Sequence, residues 1–262
     1  MQDDAAVPRQ HASGYTAGTY GASFADVYDD WYGGLAGTDA AVAMLTELAI
    51  AGPAAPALEL GVGTGRLALP LAERLAAHGL AVHGVDASPA MVERMRAKPG
   101  SAHVTVTIGD MAGDDPPGPF GLVFVAVNTF FNLDSEEAQR RCLASIARRL
   151  AAGGMFVVEA SVPDTTTDRE RDHVGISSIA ADRLVLTASR EDLDTQIVTG
   201  QHVELVDGCT VQLRPWRIRW VTPAQLDAMA ADEGLVLVER YASWERETFS
   251  TFSPQHVSVF RR

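Results

Sequence analysis

A chain of 262 residues, 47% of them hydrophobic, is long enough to bury one large core, or one core carrying an inserted subdomain. Its formal net charge of −13 comes with no basic tract, which leaves no footprint for a phosphate backbone and argues against nucleic acid as a partner. Cys142 and Cys209 are too far apart in sequence to read as a disulfide framework or a metal pair, and the seven histidines do not cluster, so no metal is expected. No run reaches the roughly 18 apolar residues of a membrane span, and residues 1–14 have no apolar segment. A cytoplasmic protein without a membrane partner is the expectation.

Residues 1–18 read as a polar tail with little to order it. Tyr20, Phe24, Tyr28, Trp31 and Tyr32 then recur at helical spacing, so 20–32 reads as a helix with an aromatic face. Packing against a sheet edge would explain that face as well as a ligand site would. Ala57–Leu60 is a short apolar strand containing Glu59. Gly61, Gly63 and Gly65 follow at alternate positions, and a helix is expected over 67–77. Strand, glycine turn and helix let a backbone approach a ligand closely, because glycine lacks Cβ and tolerates positive φ. A dinucleotide fingerprint would need glycine at position 66, where Arg66 stands, which argues against a nicotinamide-dependent oxidoreductase.

A second strand over 81–85 leads to Asp86, and Ser88 with Pro89 starts a helix over 89–97. A third strand over 103–108 is followed by Gly109, Asp110 and Met111, and a fourth, Phe120–Val125, by Val127 and Asn128. Asp134, Ser135, Glu136 and Glu137 open a helix to Leu150, with Arg148 and Arg149 in its last turn as the helix dipole favours. Residues 155–160 form a fifth strand. Strands alternating with helices at this spacing predict a parallel sheet with right-handed crossovers. The pattern then changes. Strands over 182–188, 195–206 and 209–221, with no helix between them and a turn at Asp207-Gly208, predict a three-stranded antiparallel insertion. Thr222, Pro223 and Gln225 begin a capped helix ending near Gly234, and strands over 235–240 and 256–261 complete the sheet. The expected organisation is a tail and helical segment over 1–50, a core over 51–162, the insertion over 163–221, and a helix with the last two core strands over 222–262.

Ligands of open α/β sheets sit outside the carboxyl ends of the strands. The three glycines, Asp86, Asp110 with Met111, and Val127 with Asn128 all fall at such ends. A rigidly held acid at position 86 can accept from two ribose hydroxyls, and Asp110 from an adenine amino group. Taken singly, Asp86 also reads as a turn acid and Met111 as core filler; their joint placement favours a nucleoside-containing cofactor.

The segment 59–66 (E-x-G-x-G-x-G), the run 85–91, Gly109-Asp110-Met111 and 150–154 resemble the class I S-adenosylmethionine-dependent methyltransferases, over about residues 20–262. The resemblance implies an α/β, Rossmann-like, seven-stranded and mostly parallel sheet with its last strand antiparallel, and an antiparallel β insertion after strand five. It implies S-adenosyl-L-methionine as cofactor. On that resemblance Gly61 and Gly63 meet the methionine portion, Asp86, with Ala87 and Met91 beside it, holds the ribose, and Asp110 and Met111 hold the adenine. Glu59 bonds around the turn or to the ligand amine, Arg66 either meets the ligand carboxylate or is a surface cation, and Val127 adds a further contact. Residues 20–32 resemble the N-terminal lid of small-molecule methyltransferases, in which Tyr20, Tyr28 and Tyr32 would cover the sulfonium. Tyrosine faces suit a cation.

Methyl transfer from a sulfonium is an in-line displacement, so alignment and exclusion of water matter more than a strong catalytic signature. Tyr20 and Asn132 are candidates at the reacting centre, and His173 is a candidate base. Trp31, Asn128, Phe131, Arg214, Trp216, Arg217 and Arg219 are candidate acceptor contacts. Arg217 and Arg219 share one face of a strand, where arginines can clamp a diphosphate; a solvated outer face or an oligomer contact explains the same pattern. The order of lid, sheet and insertion is similar to the small-molecule methyltransferases of antibiotic pathways, in particular those that N-methylate nucleotide-linked aminosugars. An O-methyltransferase on a polyketide or aromatic acceptor, and a protein that binds the cofactor without turnover, stay open. The expected partner is a small-molecule acceptor, and the insertion is either its platform or a homodimer interface.

Overall fold

The computed structural model describes residues 14–114, 116–166 and 171–262. The tail expected over 1–18 lies outside the described residues up to position 13, and so does part of the approach to the insertion, 167–170. Two short helices come first, α1 (Thr19–Phe24) and α2 (Tyr28–Tyr32), then α3 (Thr38–Ala51). The core follows, strands alternating with helices except between β3 and β4: β1 (Ala57–Leu60), α4 (Ala68–Ala76), β2 (Val82–Asp86), α5 (Pro89–Arg96), β3 (Val104–Ile108), β4 (Phe120–Val125), α6 (Glu136–Arg149) and β5 (Leu150–Ser161). The inserted strands are β6 (Arg171–Ile179), β7 (Arg183–Asp192), β8 (Ile197–Val206) and β9 (Gln212–Arg219). The chain closes with α7 (Pro223–Asp232), β10 (Val236–Tyr241) and β11 (Gln255–Arg261).

β4, and β1 apart from Glu59, are apolar because they are covered on both faces, and every residue in them is buried. They form the middle of a seven-stranded sheet of order β10-β11-β5-β4-β1-β2-β3. The pairs β1–β2, β1–β4, β2–β3 and β4–β5 are parallel. β11 alone runs against its neighbours, pairing antiparallel with both β5 and β10. One face packs on α6 and α7 through Cys142, Leu143, Ile146, Leu226 and Met229. The other packs on α3 and α4 through Val42, Leu45, Leu71 and Leu75. Phe120, Phe124, Phe156 and Phe260 are at most 1% exposed, each contributing on the order of 2 kcal/mol of burial. The helix starts follow their sequence signals. The Ser135 hydroxyl accepts from the Ala138 N–H, the Ser88 hydroxyl from Met91 N–H, and Thr222 with Gln225 closes a complete capping box.

Two expectations are corrected. The insertion has four antiparallel strands in the order β6-β7-β8-β9, where three were expected. β6 is the strand missed, because Gly175, Ser177 and Ser178 interrupt its apolar residues and a bulge falls between Ile176 and Ser178. The aromatic segment 20–32 is also not one helix. It breaks at 25–27, where Val27 N–H bonds to the Phe24 carbonyl in a tight turn and Asp26 is drawn out to Arg214. Among the described residues no helix is long and apolar enough to cross a membrane, and no group of His, Cys, Asp and Glu is arranged to hold a metal.

Candidate active site

The chain turns sharply after β1 with Gly61, Gly63 and Gly65 at φ of 70°, 55° and 82°. A Cβ at Gly61 would lie 2.3 Å from Thr129 Cγ2, so the loop after β4 closes against this turn only because the residue is glycine. Gly63 N–H donates to Asp86 Oδ2 at 2.7 Å, and Ser88 N–H donates to Asp86 Oδ1 at 2.8 Å. The acid at the end of β2 is thereby locked to the glycine turn and to the start of α5. Each of its oxygens keeps lone-pair capacity toward the space in front of the sheet. Burial pushes the Asp86 carboxyl up, and the Ser88 and Gly63 N–H bonds oppose that shift.

That space is an open cleft in front of the sheet, enclosing about 630 Å³ with its open mouth included. Its floor is Gly61, Gly63, Asp86, Ala87 and Met91, with Asp110 and Met111 after β3. Tyr20 and Gly21 from α1 and Tyr28 from α2 cover it, and Thr129, Asn132 and Leu133 after β4 close its far side. Asp110 is fixed in its turn, where Oδ1 accepts from Ala112 N–H at 2.9 Å.

The tyrosines form a network. Tyr20 stacks on Phe24 with centroids 4.5 Å apart, and Tyr28 lies 4.9 Å from Tyr32. Tyr32 packs in the same cluster as Tyr20 and Tyr28 but does not line the cleft. Burial raises the Tyr20 hydroxyl well above its ordinary value and pushes Tyr28 up to about 12. Both phenols are therefore neutral at physiological pH, and offer ring faces and hydroxyl dipoles rather than a base.

The other candidates are placed elsewhere. Glu59 is 5% exposed, its Oε2 has no hydrogen-bond partner, and burial pushes its carboxyl up to about 8 against the opposing pull of Arg66. Arg66 donates to Thr38 Oγ1 at 2.8 Å, tying the glycine turn to α3. Val127 and Asn128 both adopt positive φ behind the cleft. Val127 N–H bonds to Glu159, and Asn128 Oδ1 accepts from Ser161 N–H at 2.6 Å, so these residues pin the loop to β5. Phe131, expected on a pocket wall, is 1% exposed and belongs to the sheet core, because the short 3₁₀ turn Thr129–Asn132 directs it inward. His173 is on β6, at the exposed outer edge of the inserted sheet and away from the cleft.

The arginines do not form a clamp. Arg214 is bonded to Asp26 and Glu204, Arg219 to Gln139, Gln196 and Glu136, and Arg217 makes an ion pair with Asp134 at 3.1 Å. Trp31 turns toward the inserted sheet, its ring 5.6 Å from that of His202, and Trp216 packs beneath the lid on Gly200. Thr129 and Leu133, in the loop over 128–133 that the sequence places after the fourth strand as a pocket wall, both line the cleft.

A seven-stranded sheet with one reversed strand, a glycine turn after the first strand and acids after the next two define an enzyme of the nucleoside-cofactor class. Residues 57–154 match the model of a methyltransferase domain. The solved structure of the CcbJ methyltransferase from Streptomyces caelestis is 38% identical, with a TM-score of 0.83 over 94% of this chain and 99% of that one. The chain belongs to the S-adenosylmethionine-dependent methyltransferases, and its cofactor is S-adenosyl-L-methionine. The cypemycin N-terminal methyltransferase of a Streptomyces species is 27% identical over 207 residues, 78% of this chain and 82% of that protein. The sugar N-methyltransferase KedS8 of a Streptoalloteichus species shares the fold, with a TM-score of 0.66 at 20% identity over 98% of this chain and 99% of that one.

Proposed function

We propose that the cleft holds S-adenosylmethionine and that the enzyme methylates an amine on a small natural-product intermediate, an aminosugar in the first instance. Asp86 would accept from the ribose hydroxyls, Asp110 and Met111 would hold the adenine, and the Gly61–Gly63 turn would meet the methionine portion. The glycine turn that a Cβ would fill and the backbone-locked Asp86 fit that cofactor. The bound cofactor supplies an electrophilic methyl group. The chain's own part is to hold Tyr20, Tyr28 and Asn132 around the transfer path and to exclude water from it.

One observation carries the amine reading. Among the described residues lining the cleft, the titratable groups are Tyr20, Tyr28, Asp86 and Asp110. The phenols are neutral and the acids are assigned to the cofactor, so none of the described residues lining the cleft is left to deprotonate an alcohol or phenol. An amine needs only to arrive unprotonated. The names of the cypemycin N-terminal methyltransferase and of the sugar N-methyltransferase KedS8 support the same choice. With Arg214 and Arg219 engaged inside the protein, a nucleotide carrier on the sugar rests on the resemblance alone.

A panel of free and nucleotide-linked aminosugars and phenols, with methyl-labelled cofactor, tests this. Label on an amine, with a rate that rises through the acceptor's own pKa, is the expected result; label on phenols alone overturns it. The outer face of the inserted sheet supports a homodimer as the working form: Ile176, Leu186, Val203 and Leu213 stand in register across its four strands.

A further inference from the structure

The lid over the cleft is fastened from two sides. On the core side, Asp29 of α2 accepts from the Thr64 hydroxyl at 2.6 Å and from Lys98 Nζ at 2.8 Å, and Lys98 also donates to the Thr64 carbonyl. On the other side stands Arg214 of β9, 6% exposed. All five of its N–H directions are used. Nε donates to Glu204, Nη1 to the Ser23 carbonyl and Asp26, and Nη2 to Asp26 and Glu204. The Ser23 carbonyl lies at the C-terminal end of α1, where carbonyls lack helical partners and a cation is favoured. Arg183 completes the group on Glu204 at 2.6 Å, and both guanidiniums stand about 5.5 Å from the Trp31 ring of α2 (5.5 Å for Arg183, 5.6 Å for Arg214). Two arginines and two acids thus join β7, β8 and β9 to the turn between the helices that carry Tyr20 and Tyr28.

We propose that Arg214 is a positioning residue for the cofactor: held by Glu204 of the inserted sheet, it clamps the α1–α2 turn through Asp26 and Ser23, and so keeps the tyrosine lid closed. This rests on the cleft being the cofactor site. The inserted sheet is then a structural half of the lid, and cofactor capture depends on it although none of its residues lines the cleft. The fork geometry matters, because the five bonds diverge to three partners; a lysine has one point charge for them.

Calorimetry with S-adenosylhomocysteine on the full chain, together with hydrogen exchange over residues 19–32, tests this in Arg214→Met, Arg214→Lys, Asp26→Asn and Asp86→Ala. If the closed lid falls to a tenth of the population, Arg214→Met raises Kd about tenfold at unchanged stoichiometry. Exchange protection should fall over 19–32 while β1 and β4 keep theirs, and Arg214→Lys should recover only part of the affinity. Asp26, with its side chain 59% exposed, can be changed without burying a lone charge, so Asp26→Asn carries the test if Arg214→Met does not fold. Parental affinity in Asp86→Ala overturns the cleft assignment. A weakened Asp86→Ala beside parental affinity and lid protection in Arg214→Met and Asp26→Asn overturns the lid proposal alone. Protection lost from β1 and β4 as well assigns Arg214 a merely structural role and overturns it too.

Discussion

At the scale of single residues, two acids a short distance apart along the sheet have different work. Asp86 is locked by two backbone N–H groups and faces the cleft. Glu59 is sealed behind the glycine turn, with one oxygen unpartnered and its carboxyl pushed up to about 8 by burial. Because the folded protein holds this proton up to about pH 8 and the unfolded chain loses it near the ordinary carboxylate value of 4.5, the native state binds more protons in that window. Its contribution to stability is full below pH 4.5 and is lost as pH rises toward 8. Glu59→Gln mimics the protonated form. Thermal unfolding of the ligand-free protein should show the variant with a higher midpoint than the parent at pH 8 and a smaller difference at pH 5. Equal pH dependence in both proteins would mean that Glu59 is ionised inside.

At the scale of elements, the glycine turn is legible from sequence, but the loop that closes on it is not. The spacing of Gly61, Gly63 and Gly65 marks a turn, and Arg66 removes the dinucleotide reading. That Thr129, far along the chain, lies where a Gly61 Cβ would be is decided by the pairing of β1 with β4. Gly61→Ala combines a positive-φ penalty of about 1 kcal/mol with a displaced Thr129. It should weaken S-adenosylhomocysteine binding about tenfold or more for a total cost near 2 kcal/mol, read by titration beside denaturant unfolding. Unchanged affinity would show that the turn tolerates the shift. The break between α1 and α2 has a similar origin. The aromatic spacing alone supports one continuous helix, and the pull of a distant arginine on Asp26 ends the first.

At the scale of the whole molecule, the inserted sheet has two faces with opposite fates. One packs on the lid through His202, Glu204 and Arg214. The other presents Val174, Ile176, Ile179 and Leu213 at 74%, 66%, 74% and 60% exposure. Together these residues expose on the order of 500 Å² of apolar surface, at the upper end of what a monomer leaves uncovered. With the half-buried Leu184, Leu186 and Val203 between them, the face approaches the roughly 800 Å² per partner of a standard interface. A flat face of this kind suits a second copy of the same sheet about a two-fold axis. Sedimentation should give a dimer, and Ile176→Lys should shift it toward monomer at micromolar concentration; a parent that sediments as monomer removes this face from consideration.

The sequence by itself determined the order of the core elements and the helix caps, and marked a nucleoside-cofactor site whose cofactor the family resemblance implies. These follow from local signals: alternation of apolar runs, capping residues and the glycine spacing that only certain backbone turns accept. Tertiary structure alone decided the fates of Phe131, His173 and the arginines at 214, 217 and 219. A charge or an aromatic ring carries no local mark of whether its partner is a ligand or another part of the same chain. Arg214 stands in the sequence as a candidate acceptor contact because nothing local shows Asp26 and Glu204 beside it. Folding brings those acids within 3 Å, satisfies every guanidinium bond internally, and moves the residue from touching substrate to holding the lid.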